Sequence, residues 1–442
     1  MHSKLKARIS ARKAKIGVVG MGYVGLPVAA LFARAGFHVV GVDVREDLVA
    51  AVKVGEVLME GDEPRLADYV AEAVESGRLK ATTDYAELAD AEVVLVAVET
   101  PVDDSHKPRY KALRQACRSL GAVMQPGVLV IIESTIAPGT MEGVVKPLLE
   151  ETSGKRVSQD FYLVACPERV MPGKLVERLE GMSRVVGGMS PEAAELAVIL
   201  YRHIVHKHAD LDMTDAITAE IVKTAENAYR DVQIAYANEL ALICETLGAD
   251  VWKVRELVNK SPGRNVHFPG AGVGGHCIPK DPWLLIANVK DGLQPRLIPT
   301  ARAVNDGMPL HMVALLRKGL EAEGGKLAGA SIAVLGYAYL ENTDDVRNSP
   351  TAALVAELQR QGAKPRVHDP FVVEFAGEVN QVIEGSDAVV LMVAHDRYRE
   401  LELPALRALV RTPVLIDGRN LFDAQQALDA GLRFYKVGVG ER

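Results

Sequence analysis

Cysteine is scarce in this chain. Four occur among 442 residues, Cys117, Cys166, Cys244 and Cys277, far apart and with no C-x-x-C pair. That spacing excludes a disulfide framework and a zinc ribbon and points to a reducing compartment, the cytoplasm. No window approaches 18 uninterrupted apolar residues, so no membrane span is expected. Low-complexity segments and long basic runs are also missing from the body of the chain. With 51 basic and 58 acidic residues the net charge is −7, and neither nucleic acid nor a membrane surface is an expected partner. Six of the first fifteen residues are basic (Lys4, Lys6, Arg8, Arg12, Lys13 and Lys15), but no apolar stretch follows them before Ile16. The expectation is a flexible basic lead-in rather than a secretory signal.

What is present is a globular composition, 48% hydrophobic and 25% charged, over a length that suggests about three domains. "KIGVVG" (15–20), a helix-like stretch and "FHVVGVDV" (37–44) read as a βαβ unit. "EVVLVAVET" (92–100) and "GVLVIIEST" (127–135) continue as buried strands of a parallel sheet. Residues 213–247 lack Gly and Pro and carry apolar residues at helical spacing, which predicts one long helix or two nearly continuous ones. From about 330 the strand–helix alternation returns, and "ASIAVLGYAY" and "SDAVVLMVAHD" echo the first strands in order and character. The expected fold is α/β, two doubly wound Rossmann-like domains joined by a central helical domain. The expected bounds are 1–211 for the first, 212–318 for the centre and 319–442 for the last.

"GVVGMGYVGLP" holds G-x-G-x-x-G as Gly20, Gly22 and Gly25, after a strand and at the opening of a helix. The first glycine permits the turn, the second lets backbone approach a pyrophosphate, and the third lets helix and strand pack closely. The diphosphate then meets a helix N-terminus. Asp43, ending the next strand, suits ribose hydroxyls and would repel a 2′-phosphate, which favours NAD over NADP; Arg45 softens that choice. Thr100 and Ser134-Thr135, at the tips of later strands, line the same edge. The expected cofactor contacts are therefore Gly20, Gly22, Tyr23, Val24, Gly25, Asp43, Thr100 and Thr135.

"GAGVGGHCIPKDPW" (270–283) places Cys277 behind four glycines. It reads either as a tight loop with a structural thiol or as a nucleophile that a substrate must approach. Lys223, Asn227 and Arg230 share one stripe of the long helix, which by itself also describes a solvated face. Asp281-Pro282 has the form of a helix start. His276 and Cys277 lack a second ligand pair, so no metal is expected.

Taken together, "GMGYVGLP", "ESTIAPGT", "CPERVMPG", "KTAENAYRD", "ANELA", "PGAGVGGHCIPKDPW", "ARAVNDGMP" and "NTDDVRNSP" resemble, in order and spacing, the UDP-glucose/GDP-mannose dehydrogenase family over roughly 14–440. The resemblance implies oxidation of a nucleotide-sugar C6 hydroxyl to a carboxylate with two NAD and one water. Cys277 then matches the nucleophile that carries a thioester. Lys223 matches the oxyanion or proton-relay lysine, Asn227 its hydrogen-bonding companion, and Asp281 the aspartate that activates water. Glu168, Arg169, Val170, Arg230, Arg264, Gly274 and Arg419 match or approach substrate contacts, as do Lys223 and Asn227; Arg347 matches an arginine reaching the cofactor. Pro172 replaces a second glutamate of the glucose-type members, which resembles the branch acting on UDP-N-acetylhexosamines. N-acetylmannosamine stands first, N-acetylglucosamine second and glucose third. Leu340 departs from the family's usual lysine, and Ser261-Pro262-Gly263 departs from the branch's His-x-Arg. The resemblance also implies a homodimer through the long helix. The rival readings are a single-step dehydrogenase of the 3-hydroxyacid type and a nucleotide-sugar sensor without turnover.

Overall fold

The computed structural model describes residues 1–58, 63, 65–169, 175–290 and 292–440. Val170 and Pro172 lie outside the described residues. The chain forms two compact units, one from Met1–Glu226 with Trp283–Leu293, the other from Asn227–Pro282 with Gln294–Arg442.

The first unit is built on an eight-stranded sheet. Its strands are β1 (Lys15–Val19), β2 (His38–Val42), β3 (Leu79–Thr82), β4 (Val93–Val96), β5 (Leu129–Ile132), β6 (Tyr162–Ala165), β7 (Arg184–Gly188) and β8 (Leu211–Asp215). Their spatial order is β3-β2-β1-β4-β5-β6-β7-β8. The first six strands run parallel in the order of a dinucleotide-binding sheet, with the topological switch at β1 and β4. The strands β4 ("VVLV") and β5 ("LVII") are buried at every position, because helices cover both faces. The expected parallel sheet ends at β7, which pairs antiparallel to β6 through Val164↔Gly188 and Ala165↔Gly187. An apolar run fixes burial but carries no strand direction, so the reversal left no trace in the sequence pattern.

The basic lead-in is not a flexible tail. It folds as helix α1 (His2–Ser10), with Leu5 and Ile9 buried one turn apart in the core of the first unit. Lys6 bonds Glu195 at 2.6 Å and Arg8 bonds Glu92 at 2.5 Å. Two apolar side chains four residues apart are enough to give a basic segment a buried stripe. The turn after β1 leads into α2 (Gly25–Arg34).

The long helix α3 spans Ala216–Leu247, 32 residues, and the division between the units falls within it. Its start follows from Asp215, whose Oδ1 accepts from Thr218 N at 2.9 Å and whose Oδ2 accepts from the Thr218 hydroxyl at 2.8 Å. Residues 213–215, expected to open the helix, belong instead to strand β8, which pairs with β7. Gly248, in the left-handed region at φ +69°, ends the helix. The second unit continues with α4 (Asp281–Ile286) and α5 (Leu297–Ala322). Asp281-Pro282 of α4 belongs to this unit and the remainder of α4 to the first, while α5 lies wholly in the second.

A five-stranded parallel sheet completes the second unit: β9 (Ser331–Leu335), β10 (Lys364–His368), β11 (Ala388–Leu391), β12 (Val414–Asp417) and β13 (Arg433–Lys436), ordered β10-β9-β11-β12-β13. The repeat seen in the sequence is real in the backbone. Gly20 follows β1 at φ +89° and donates to Val42 O at 2.8 Å; Gly336 follows β9 at φ +93° and donates to His368 O at 2.8 Å. The aspartate after the second strand is also shared. Asp43 Oδ2 accepts from Met21 N at 2.7 Å, and Asp369 Oδ2 accepts from Tyr337 N at 2.6 Å. The surroundings differ. Asp43 is half-buried, whereas Asp369 is fully buried and also accepts from Ala338 N, Phe371 N and His395. His395 Nδ1 accepts from Asn342 N at 2.9 Å, so its Nε2 carries the proton donated to Asp369. Among the described residues no helix is long and apolar enough to cross a membrane.

Because Ile9 is fully enclosed, Ile9→Ala is expected to cost about 2–4 kcal/mol in urea unfolding, whereas Lys4→Ala should stay within about 0.5 kcal/mol. Equal, negligible effects would restore the reading of this segment as a loose tail.

Candidate active site

Two constellations emerge, one in each unit. In the first, Gly20 and Gly25 are required by the protein itself. A Cβ on Gly20 would lie 2.5 Å from Ala97 O, and one on Gly25 would lie 1.8 Å from Gly20 O. Gly22 is different: a Cβ there would meet nothing within 4 Å. The fold does not need that glycine, so its bareness serves a ligand that approaches the backbone. Asp43, whose Oδ1 also accepts from Arg45 N at 2.9 Å, retains lone pairs for ribose hydroxyls. The Thr100 hydroxyl bonds Thr135 O at 2.5 Å, and that of Ser134 bonds Val98 O at 2.6 Å, which ties the tips of β4 and β5 together. The Tyr23 hydroxyl donates to Glu63 at 3.1 Å, while Val24 precedes α2. These residues fit NAD: a bare turn for the pyrophosphate and a carboxylate for the ribose.

Beside this cradle the first unit holds a buried charge cluster that sequence reasoning missed. Glu168, expected to face substrate, is only 8% exposed; its Oε2 lies 2.8 Å from Arg184 Nη1, and its Oε1 accepts from Arg169 N at 2.6 Å. Arg184 also lies 3.6 Å from Glu133, which accepts from the Tyr201 hydroxyl at 2.6 Å, and the guanidinium stacks 4.4 Å from the Tyr201 ring centroid. Two carboxylates thus share one guanidinium. Burial pushes the Glu133 carboxyl up to about 7, against the pull of Arg184 and with the push of Glu168. A lone arginine inside "SRVVGG" gave no signal of this role. Arg169 pairs with Glu226 on α3 and bonds Ser183 O at 3.3 Å.

Lys223 lies one helical turn before Asn227 on α3. It is 7% exposed, so the solvated-face reading fails for it, and none of the described residues supplies a hydrogen-bond or ion-pair partner to its ammonium. Arg230, further along the same stripe, is exposed.

In the second unit the glycine-rich loop carries Cys277 into α4. Cys277 is half-buried, while Cys117, Cys166 and Cys244 are buried. Burial pushes the thiols of Cys117 and Cys166 up to about 12 and raises that of Cys244, which leaves them inert. The Cys277 carbonyl accepts from Lys280 N at 3.1 Å and Asp281 N at 2.8 Å, closing a tight turn. Asp281 is fully buried. Its Oδ2 accepts from Asn227 Nδ2 at 2.6 Å and its Oδ1 lies 2.9 Å from Lys280 Nζ. Asp281 is the first residue of α4 rather than its side-chain cap, and its enclosed carboxylate meets Asn227 and Lys280. Lys280, 6% exposed, was overlooked as a functional residue.

The glycines of this loop do not open it to a sugar as expected. A Cβ on Gly274 would lie 2.6 Å from Tyr339 Cβ and 2.8 Å from Asn348 O, so the bare backbone is needed to pack against residues 339–348. Gly275 N donates to Arg347 O at 2.8 Å and its carbonyl accepts from Asn348 Nδ2 at 3.0 Å. Arg347 itself makes a two-pronged pair with Asp345, at 2.9 and 2.5 Å. Arg419 is likewise used internally, bonding Met392 O at 2.7 Å and Gly272 O at 3.3 Å, so it braces the loop. Arg264 is exposed and bonds Pro262 O at 2.9 Å. Among the described residues no group of three or more His, Cys, Asp or Glu side chains is arranged to hold a metal ion.

Comparison with known proteins gives three consecutive matches to one family. They are the NAD binding domain of the UDP-glucose/GDP-mannose dehydrogenase family at residues 14–205, its central domain at 217–307 and its UDP binding domain at 333–424. The chain is 40% identical over 427 residues to a UDP-N-acetyl-D-mannosamine dehydrogenase of Pyrococcus horikoshii, covering 97% of this chain and all of that one. The solved structure of a Pyrococcus horikoshii UDP-D-ManNAc dehydrogenase superposes with a TM-score of 0.91 at 39% identity, over 97% of this chain and 100% of that chain. An NDP-N-acetyl-D-galactosaminuronic acid dehydrogenase from Methanosarcina mazei superposes with a TM-score of 0.88 at 35% identity, over 99% and 98%.

The Glu133 cluster has a consequence for stability. Its carboxyl titrates near 7 when folded and near 4.5 when unfolded, so the folded state holds the extra proton between those values and stability falls as pH rises through that window. Glu133→Gln should flatten the decline in Tm between pH 5 and 8, a term of up to about 3 kcal/mol. Parallel pH profiles of Tm for wild type and variant would refute the assignment.

Proposed function

This chain belongs to the UDP-glucose/GDP-mannose dehydrogenase family, and from that premise we propose that it oxidises the C6 hydroxyl of UDP-N-acetyl-D-mannosamine to the uronate. One alcohol, one water and two NAD yield one carboxylate, two NADH and three protons. The reading rests on relatives of that activity matched over nearly the whole chain. The observation that carries the chemistry is the contrast among the cysteines: Cys277 is accessible in a braced loop, and the other three are sealed in cores. The Methanosarcina neighbour, named for another N-acetylated sugar, favours N-acetylhexosamine and keeps its epimers as the second reading.

When bound, NAD accepts hydride from C6 in each of the two oxidations. The residues of this chain do the rest. The Gly20–Gly25 turn and Asp43 hold the dinucleotide. Cys277 as thiolate attacks the C6 aldehyde to give a thiohemiacetal, whose loss of hydride leaves a thioester. Water cleaves that thioester, releasing the carboxylate and the thiolate. Lys223 and Asn227 steady the oxygen that bears charge at each stage, and Lys223 relays protons. Asp281 keeps Asn227 turned inward with Lys280. Glu168, Arg169, Val170, Arg230, Arg264 and Gly274 serve the substrate, Glu168 from its enclosure with Arg184, while Arg419 serves the uridine diphosphate end through the loop it braces and Arg347 the cofactor. We read 1–211 as the NAD segment, 212–318 as the central segment and 319–442 as the UDP-sugar segment. Four free cysteines suit the cytoplasm.

We also propose a homodimer through α3. Tyr229, Tyr236 and Ile243 recur every seven residues with Leu247 one turn on, all exposed, and a second copy of the same stripe is the occupant they fit.

Three expected outcomes test these readings. UDP-N-acetylmannosamine should release two NADH per sugar in a panel of UDP-sugars, and Cys277→Ser should bind NAD by calorimetry yet lose acid formation at least a thousandfold. One NADH per sugar, or full turnover by Cys277→Ser, overturns the covalent route. Ile243→Glu with Tyr236→Glu should sediment as a monomer while wild type sediments as a dimer; a monomeric wild type at micromolar concentration removes the dimer.

A further inference from the structure

The loop that carries Cys277 is held by α3 at both of its ends. At the far end Asn227 Nδ2 donates to Asp281 Oδ2 at 2.6 Å. At the near end Gly270 N donates to Asn238 Oδ1 at 2.9 Å. Asn227 and Asn238 are eleven residues apart, as are Gly270 and Asp281. Eleven residues are three helical turns and about 20°, so both asparagines lie on one face of α3, about 16 Å apart along its axis.

The near anchor has a buried backing. Asn238 Nδ2 donates to Asn305 Oδ1 at 2.8 Å, and Asn305 Nδ2 donates to Asp231 Oδ1 at 2.7 Å and to Asp231 O at 3.0 Å. Arg302 Nη1 donates to the same Asp231 Oδ1 at 2.6 Å, and Arg302 also pairs with Asp306. Asn238, Asn305 and Asp231 are 0% exposed and Arg302 is 2% exposed. The polarity of the chain is forced at both ends by backbone groups. Gly270 N–H requires an oxygen from Asn238, and Asp231 O requires a nitrogen from Asn305. A core of this size could be filled by apolar side chains at no loss of stability; a polar chain with a fixed order of donors and acceptors specifies one position instead.

We infer that Asn238 and Asn305 are positioning residues for the nucleophile: they fix where the Cys277 loop leaves α3, and Asn227 fixes where it returns. This deepens the proposed reaction and rests on Cys277 being its nucleophile. Neither asparagine touches the reacting atoms.

The polarity supplies the test. Asn238→Asp keeps the acceptor for Gly270 but places an oxygen against Asn305 Oδ1. Asn305 cannot turn over to answer it, because its nitrogen already serves Asp231 O and Oδ1; Asn305→Ala, in turn, removes the backing of Asn238 and leaves the acceptor for Gly270 in place. In the full-length enzyme with NAD and UDP-N-acetylmannosamine, Asn238→Asp should lower kcat at least tenfold with both KM values within threefold. Hydrogen exchange of amides in 270–281 should accelerate at least tenfold while β9–β13 stay protected. Asn305→Ala should move both readouts in the same direction, each by at least threefold.

Wild-type kcat and exchange in Asn238→Asp, or in Asn305→Ala, overturns the inference. If Asn238→Asp does not fold, Asn305→Ala decides alone: slower turnover with faster exchange in 270–281 supports it, and wild-type values overturn it. Exchange is read without turnover, so a failure of the proposed reaction, seen as activity in Cys277→Ser, is distinguished from a failure of the anchor.

Discussion

A single buried contact organises the second unit's chemistry: the Asp281 carboxylate gripped between Asn227 and Lys280. A carboxylate removed from water is stable only while its lone pairs are answered. Here one oxygen accepts from Asn227 on the long helix, and the other is answered by the charge of the Lys280 ammonium at 2.9 Å rather than by a hydrogen bond. The turn that begins at the Cys277 carbonyl and ends at Asp281 is thereby fastened to α3. The position of Cys277 thereby depends on a residue four positions away.

The two sheets show how one backbone solution serves two ends. After the first strand of each, a glycine with positive φ turns the chain, and an aspartate ending the next strand accepts from the turn. In the first unit that aspartate keeps an open side, and Gly22 leaves the backbone bare beside it. In the second, His395 and four backbone N–H groups surround Asp369 completely. Their pull carries its carboxyl to about 2 despite burial, and no ribose hydroxyl can reach it. The repeat has been kept for its fold and closed as a dinucleotide cradle.

Glu168 illustrates what alignment with a motif leaves unsaid. Its match to a substrate contact is sound as sequence, yet the structure gives its carboxylate to Arg184, with Glu133 and Tyr201 in the same enclosure. One guanidinium cannot neutralise two buried carboxylates, so a proton resides on Glu133 near neutral pH. The glycines before Cys277 tell the same story: their spacing reads as access for a ligand, while their actual neighbours are Tyr339 and Asn348.

The sequence alone determined the parts that repeat locally. The G-x-G-x-x-G turn with Asp43, the buried parallel strands, the single helix ending before Gly248 and the exceptional standing of Cys277 were all legible, because periodicity, glycine geometry and motif order are properties of neighbours along the chain. Helix α1 was misread, because two apolar residues among six basic ones look solvated until a core is there to receive them. Arg184, Lys280, Asn238 and Asn305 were invisible as functional groups, and the reversal at β7 left no mark. Only the tertiary structure decided these, since a buried polar residue acquires meaning from its partners, and those partners lie from 32 to 67 residues away for Asn238 alone.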